Sequence, residues 1–203
     1  MIDYLTRHPE KIWVPFGEHI RLVVITLLIS LLIAAVLTLL AMRSQRLSDA
    51  LNQLFSAIYA IPSLALFALL IPVTGLGTVS AVIVLTVYNQ YLLLRNFTTG
   101  LREVDPAIVE AATGMGMTKM QVLTKVQIPL AKQALFAGIR LAVVSTIGIG
   151  TIAASINAGG LGTLLFDGLR TINTVKILWG CLLSAGLAIA VNGLLKLIEN
   201  HIK

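Results

Sequence analysis

Few residues in this 203-residue chain are of a type and spacing that could do chemistry. A phosphate cradle needs a glycine, four residues and then Gly-Lys-Ser/Thr, and the run Gly114-Met115-Gly116-Met117-Thr118-Lys119 lacks that spacing. The glycine groups at 75–77, 148–150 and 159–162 are read as turns or close helix contacts. His8, His19 and His201 are too scattered in the sequence to suggest a metal site. The single cysteine, Cys181, lies in an apolar run with no histidine near it, so it is expected to be a small residue of the packed interior. No catalytic constellation and no metal site are therefore expected, and the chain is not read as an enzyme. What remains are groups that bind or dock. Tyr88-Asn89-Gln90-Tyr91 is a polar interruption of an apolar stretch, and Tyr59, Tyr88, Asn89 and Tyr91 are the candidate pathway residues. The second feature is a polar insert from Glu110 to Ala131.

The elements that must position these residues follow from composition. Hydrophobic residues make up 57% of the chain and charged residues 12%, and the mean hydropathy is +0.93. A soluble domain is far more polar, so the expected class is an all-α membrane protein with the lipid bilayer as its solvent. The net charge of +6 is carried by loops beside apolar spans and reports membrane topology, not nucleic-acid binding. A hydrocarbon core of about 30 Å needs about 20 apolar helical residues. Runs at 22–42, 133–156 and 177–195 each qualify, and 50–94 is long enough for two spans divided by Pro72 and Gly75-Leu76-Gly77. About five transmembrane helices are expected. Strand alternation is missing, and a barrel would need many more segments. Residues 1–19, with Tyr4, Trp13 and Phe16, read as an interfacial N-terminal segment, and Glu10 and Glu18 speak against a cleaved signal peptide. Residues 20–203 then form the transmembrane domain.

Five spans place nine basic residues on one side: Arg43, Arg46, five between Arg95 and Lys132, Lys196 and Lys203. The other side holds five: Arg7, Lys11, Arg21, Arg170 and Lys176. The richer side is expected to be cytoplasmic, with the N-terminus outside and the C-terminus inside. Arg140 falls within the fourth span and is expected to snorkel to the cytoplasmic surface.

The cytoplasmic loop at about 95–132 reads as two short helices and a turn. Asp105 is a suitable N-cap with Pro106 at the first helical position. Gly114 and Gly116 can take the positive φ that ends a helix. Thr118 with Gln121 matches a capping box, Met117 and Val122 are placed as a hydrophobic staple, and Pro129 is expected to stop the second helix. A rigid knob held at the bilayer surface suits docking to another protein. In the fourth span Ala134, Gly138, Ala142, Thr146, Gly150, Ala154 and Ala158 form a ridge of small residues at every fourth position. Gly138, Ala142, Gly150 and Ala154 are the candidate packing and gating residues. Four residues turn a helix by about 400°, so the ridge should meet different neighbours at its two ends.

Glu110-Ala111-Ala112, three residues, Gly116, nine residues and then Val126-Gln127-Ile128-Pro129 resembles the EAA motif of bacterial ABC importer permeases. Residues 60–82, Leu93-Leu94-Arg95-Asn96, 104–118 and Asn157-Ala158-Gly159-Gly160-Leu161-Gly162 are similar to the branch of that family that takes up osmoprotectants and quaternary amines. Tyr88-Asn89-Gln90-Tyr91 departs from the more apolar segment of many relatives. The resemblance implies a type I importer permease in a bacterial inner membrane. Its coupling loop would fit a groove on a cytoplasmic ATPase, with Glu110, Ala111, Ala112, Gly114, Met115, Gly116 and Met117 as the coupling residues. ATP and Mg would bind the ATPase, and this chain would carry no cofactor. It also implies a second permease copy or a paralogous permease, and a separate extracellular or periplasmic substrate-binding protein received by Asn157, Gly159, Gly160 and Gly162.

The implied cargo is a compact quaternary amine such as betaine, choline or carnitine. Its nitrogen has no N–H donor and is met by aromatic faces, here Tyr59, Tyr88, Tyr91 and Trp179. Selectivity is expected to lie mainly in the binding protein. Two alternatives stand beside this reading. An ion-coupled carrier or channel would place Asp, Glu or His within its spans, and a membrane scaffold would use the knob but leave the tyrosines without a role.

Overall fold

The computed structural model describes residues 2–201, all in helices and their connections; Lys203, counted above among the basic residues, lies outside the described residues. In chain order the helices are α1 (Ile2–Arg7), α2 (Glu10–Ala41), α3 (Gln45–Tyr59), α4 (Ser63–Thr74), α5 (Thr78–Arg102), α6 (Pro106–Gly114) and α7 (Lys119–Val122). A π-helical turn (Leu123–Gln127) joins α7 to α8 (Ile128–Ile152), a 3-10 turn (Ala153–Ile156) follows, and α9 (Gly162–Arg170) and α10 (Thr174–His201) complete the chain. Four stretches are long and apolar enough to cross a membrane by themselves, and α3 with α4 supplies a fifth crossing if the bent pair counts as one. The end that carries α6 and α7 is called here the hairpin end.

Three boundaries differ from expectation. The division at residue 19 falls inside α2, a helix of 32 residues, about 48 Å at 1.5 Å per residue and longer than a hydrocarbon core. Residues 10–19 are therefore continuous with the first crossing as one helix. The second crossing is broken at Pro62, where the α3 and α4 axes turn by 96°. A residue before proline is pushed out of the helical region, and neither α3 nor α4 is long enough to cross alone. Pro72 sits inside α4, and the division from α5 occurs at Gly75 (φ 76°) and Gly77 (φ 108°). Finally, Pro129 does not stop a helix. The π turn lets Ile128 N–H donate to the Leu123 carbonyl, and Pro129 then occupies the first turn of α8, where its missing donor is tolerated.

Helix α5 is the buried axis of the molecule. Val84, Leu85, Leu93 and Leu94 are almost without exposed surface. Small residues let α8 lie against it: an added Cβ at Gly100 would stand 2.4 Å from that of Ala134, and one at Gly138 would stand 2.8 Å from that of Asn96. Polar ties then fix the register between helices. Asn89 Nδ2 donates to Ser30 Oγ on α2 (3.1 Å) and to Thr146 Oγ1 on α8 (2.9 Å), while Gln90 Nε2 donates to the Ser30 carbonyl at 3.2 Å. Interhelical hydrogen bonds of this kind contribute about 0.6–2 kcal/mol each in membrane proteins.

Helix α10 lies at the periphery. Cys181 is exposed there, contrary to the interior position expected from its apolar neighbours, because in a bilayer an apolar run gives no sign of which face is turned to lipid. Arg140 on α8 donates to Glu199 near the end of α10, so it is held by a partner in the chain instead of reaching freely for the surface. Toward the opposite end, Lys176 Nζ donates to Asp167 Oδ2 at 2.6 Å. That contact, aided by Arg170, holds the Asp167 carboxyl below its ordinary range.

Candidate functional site

The hairpin is built by caps. Asp105 Oδ1 accepts from Ala107 N–H at 2.9 Å, with Pro106 opening α6. At the other end Gly116 N–H donates to the Thr113 carbonyl (3.0 Å) and Met117 N–H to the Ala112 carbonyl (3.2 Å). Those two bonds, with Gly116 at φ 85°, make a Schellman turn. Thr118 and Gln121 form the reciprocal capping box that opens α7. Gly114 is the last helical residue of α6 and has no positive φ, so only Gly116 needs a glycine's freedom here. Glu110, Ala111, Gly114, Met115 and Gly116 are exposed and Met117 is half-buried. Ala112, the remaining coupling candidate, is buried within the hairpin. Exposed Ile108, Met115 and Met120 add an adaptable apolar surface.

Between α3 and α5, at the hairpin end, lies an open cleft of about 780 Å³. Its α3 wall includes Gln45, Ser48, Asp49, Asn52, Gln53 and Ser56, and its α5 wall Tyr91, Arg95, Thr98, Thr99, Arg102 and Glu103. The α3 residues recur every three or four positions, so they share one helix face, with Leu47, Leu51, Leu54 and Ile58 opposite. This polar stripe was legible in the sequence, but the apolar average of 50–94 concealed it.

Of the pathway candidates, Tyr91 alone lines this cleft. Tyr59 packs behind it, with ring centroids 4.8 Å apart, and Tyr59 also meets Tyr88 edge-on at 5.4 Å. Tyr88 is 2% exposed, and its hydroxyl donates to the Ile61 carbonyl at the α3–α4 bend (2.5 Å). That bond satisfies an acceptor that the broken helix leaves open. Asn89 is the buried tie described above. Neither lines the cleft: Tyr88 is covered by Tyr59 and tied to Ile61, and Asn89, two helical steps or about 200° from Tyr91, is on the other side of α5.

At the opposite end, residues 157–162 fold inward. Glu18 Oε2 accepts from Gly160 N–H at 2.9 Å, and an added Cβ at Gly159 would stand 2.5 Å from that oxygen. His19 is fully buried, bonded through Nε2 to the Ile147 carbonyl (3.1 Å), and packed against Gly150 and Gly160. Gly162 approaches the Thr151 backbone and the Ala154 side chain. Gly160 and Gly162 are buried, whereas Asn157 is exposed in the left-handed region at φ 62° and Gly159 is half-buried. Of these four residues only the latter pair presents surface. The small-residue ridge meets two neighbours: Ala134 and Gly138 face α5, and Gly150 faces His19 on α2. Ala142 is buried against Ala34, Leu93 and Phe97. Glu18 and His19 were missed as site residues because nothing local marks their distant glycine partners.

Residues 26–203 match the family model described as binding-protein-dependent transport system inner membrane component. The carnitine transport permease protein OpuCD of Listeria monocytogenes is 36% identical over 200 residues, covering 98% of this chain and 90% of that protein. The choline transport system permease protein OpuBB of Bacillus subtilis is 33% identical over 202 residues, covering 100% and 93%. The fold is that of the MetNI methionine ABC transporter solved in an inward facing conformation, with a TM-score of 0.86 at 20% identity, covering 95% of this chain and 96% of that one. An all-helical chain of four or five spans, with a capped hairpin at one end and matched along nearly its whole length, thus belongs to the family of binding-protein-dependent transport system inner membrane components, as a multi-pass ABC importer permease subunit.

Proposed function

We propose that this chain forms the membrane passage of an ATP-driven importer of quaternary-amine osmoprotectants such as choline, carnitine or glycine betaine. Full-length similarity to permeases named for carnitine and choline carries the substrate class. The hairpin, exposed and rigidly capped, serves as the coupling element: a partner ATPase, holding ATP and Mg, grips Glu110, Ala111, Met115 and the Gly116 turn. A second permease copy or a paralogue completes the passage, and an external binding protein delivers cargo at the end bearing Asn157 and Gly159. The ion-coupled alternative draws less support, since His19 is tied to the Ile147 carbonyl and Glu199 to Arg140.

Uptake of labelled betaine, choline and carnitine by cells expressing the complete system tests this reading. Uptake should vanish when the binding protein is deleted and when the ATPase is inactivated. Persistence without the ATPase would favour the carrier reading. Orientation is tested by cysteines at Ser44, Thr118 and Thr171. The first two should react only from the cytoplasm and the third only from outside, because the basic residues cluster at the hairpin end. Labelling of Thr118 from outside intact cells would reverse the assignment.

A further inference from the structure

The α3–α5 cleft is lined by two guanidinium groups, Arg95 and Arg102, and by two carboxylates, Asp49 and Glu103, and no ion pair joins either arginine to a carboxylate among the described residues. Both are held by neutral groups. Arg95 Nη1 donates to the Tyr91 hydroxyl at 2.6 Å, and its guanidinium carbon lies 5.8 Å from the centroid of the same ring. Arg102 Nη2 donates to the Ala41 carbonyl at 3.1 Å. Each guanidinium has five N–H donors, so among the described residues most of the hydrogen-bonding capacity of both is left for a ligand.

The position of Arg95 has a chemical consequence. Tyr91 is the one tyrosine of the cluster that lines the cleft, and the cation beside it is the protein's own. A second cation approaching that ring meets Arg95 first and is repelled. A carboxylate has the opposite effect: it can take a bidentate bond from the guanidinium, stronger than the neutral bond to the tyrosine hydroxyl. The same movement uncovers the ring for a quaternary nitrogen. A ligand carrying both groups supplies the anion that draws Arg95 aside and the cation that replaces it.

We infer that this cleft is a binding station for carboxylate-bearing quaternary amines, with Arg95 as the specificity-determining residue that admits glycine betaine or carnitine and disfavours choline. The inference rests on the transport reading above and deepens it. It also revises the expectation that selectivity lies mainly in the binding protein, since the cleft adds a filter behind it. Arg102, seven residues further along α5 and so on the same face, offers the carboxylate a second station about 10 Å nearer the hairpin end.

Equilibrium binding of radiolabelled glycine betaine and of choline to the complete membrane complex with its ATPase, in nanodiscs and without the binding protein, tests the station directly. Glycine betaine should bind the unaltered complex about tenfold more tightly than choline, the size expected of one charge-assisted bond. Arg95→Gln should bring glycine betaine down to the level of choline, and Arg95→Lys should restore part of the difference. Equal binding of the two ligands to the unaltered complex overturns the inference, as does a preference that survives in Arg95→Gln. Loss of the second permease from the Arg95→Gln complex overturns it too, by placing the guanidinium in the subunit contact. Cellular uptake separates the two levels. A system that takes up no quaternary amine overturns the transport reading and the station with it, whereas normal uptake with indifferent binding overturns the station alone.

Discussion

Gly116→Val is expected to leave the permease folded in the membrane, to abolish recovery of the ATPase with it, and to reduce uptake by more than tenfold. Gly116 has a φ of 85°, and nothing lies within 4 Å of the place where a Cβ would stand. The effect therefore comes from backbone conformation and not from crowding. A left-handed residue with a side chain costs about 1–2 kcal/mol, and β-branching adds to that. The strain falls on a turn held by only two bonds, from Gly116 to Thr113 and from Met117 to Ala112. Losing them reorients Met115 and Met117 and separates α6 from the capping box at Thr118. Gly116→Asn is the matched control, since asparagine tolerates this region and should keep much of the activity. The measurements are thermal stability of the purified permease, ATPase recovery and uptake. A valine variant with normal ATPase recovery would show that the turn is not the coupling element.

Gly162→Ala should instead damage the fold. An added Cβ would stand 1.8 Å from the Thr151 carbonyl oxygen and 2.8 Å from the Ala154 Cβ. A flexible side chain could swing away, but a backbone carbonyl within the helix before the turn cannot. Forcing the start of α9 off the end of α8 would also loosen the Glu18–Gly160 bond and the packing around His19. Overpacking of this kind costs about 3 kcal/mol, which lowers the melting temperature of a domain this size by about 10 °C. Gly148→Ala is the internal control, because nothing lies within 4 Å of its added Cβ. Equal melting temperatures for the two variants would mean that the close approach at Gly162 is not present in the membrane.

The two variants separate what was readable locally from what was not. The hairpin was legible because its determinants are neighbours in the chain: Asp105 caps a helix that starts one residue later, and Thr118 reaches only to Gln121. Its exception is Ala112, which is buried where α6 packs on α7 and the π turn, a contact that the caps do not encode. The glycine loop was readable as turns or close helix contacts, and Gly159, Gly160 and Gly162 are those. Its partners were not, since Gly160 bonds to a carboxylate 142 positions earlier in the chain.

By itself the sequence determined the solvent, the number of crossings to within one, and the capped hairpin. Each depends on composition or on patterns within one turn of helix, where side-chain chemistry acts directly on the local backbone. Tertiary structure alone decided which face of each span is inside. Apolar residues satisfy lipid and protein interior equally well, so hydropathy assigned neither Cys181 to the surface nor Tyr88 to the core. The cleft is likewise a tertiary product. The polar stripe of α3 and the arginines of α5 lie some 50 residues apart in sequence, and only the break at Pro62 and the packing of Tyr59 on Tyr88 and Tyr91 set them against each other.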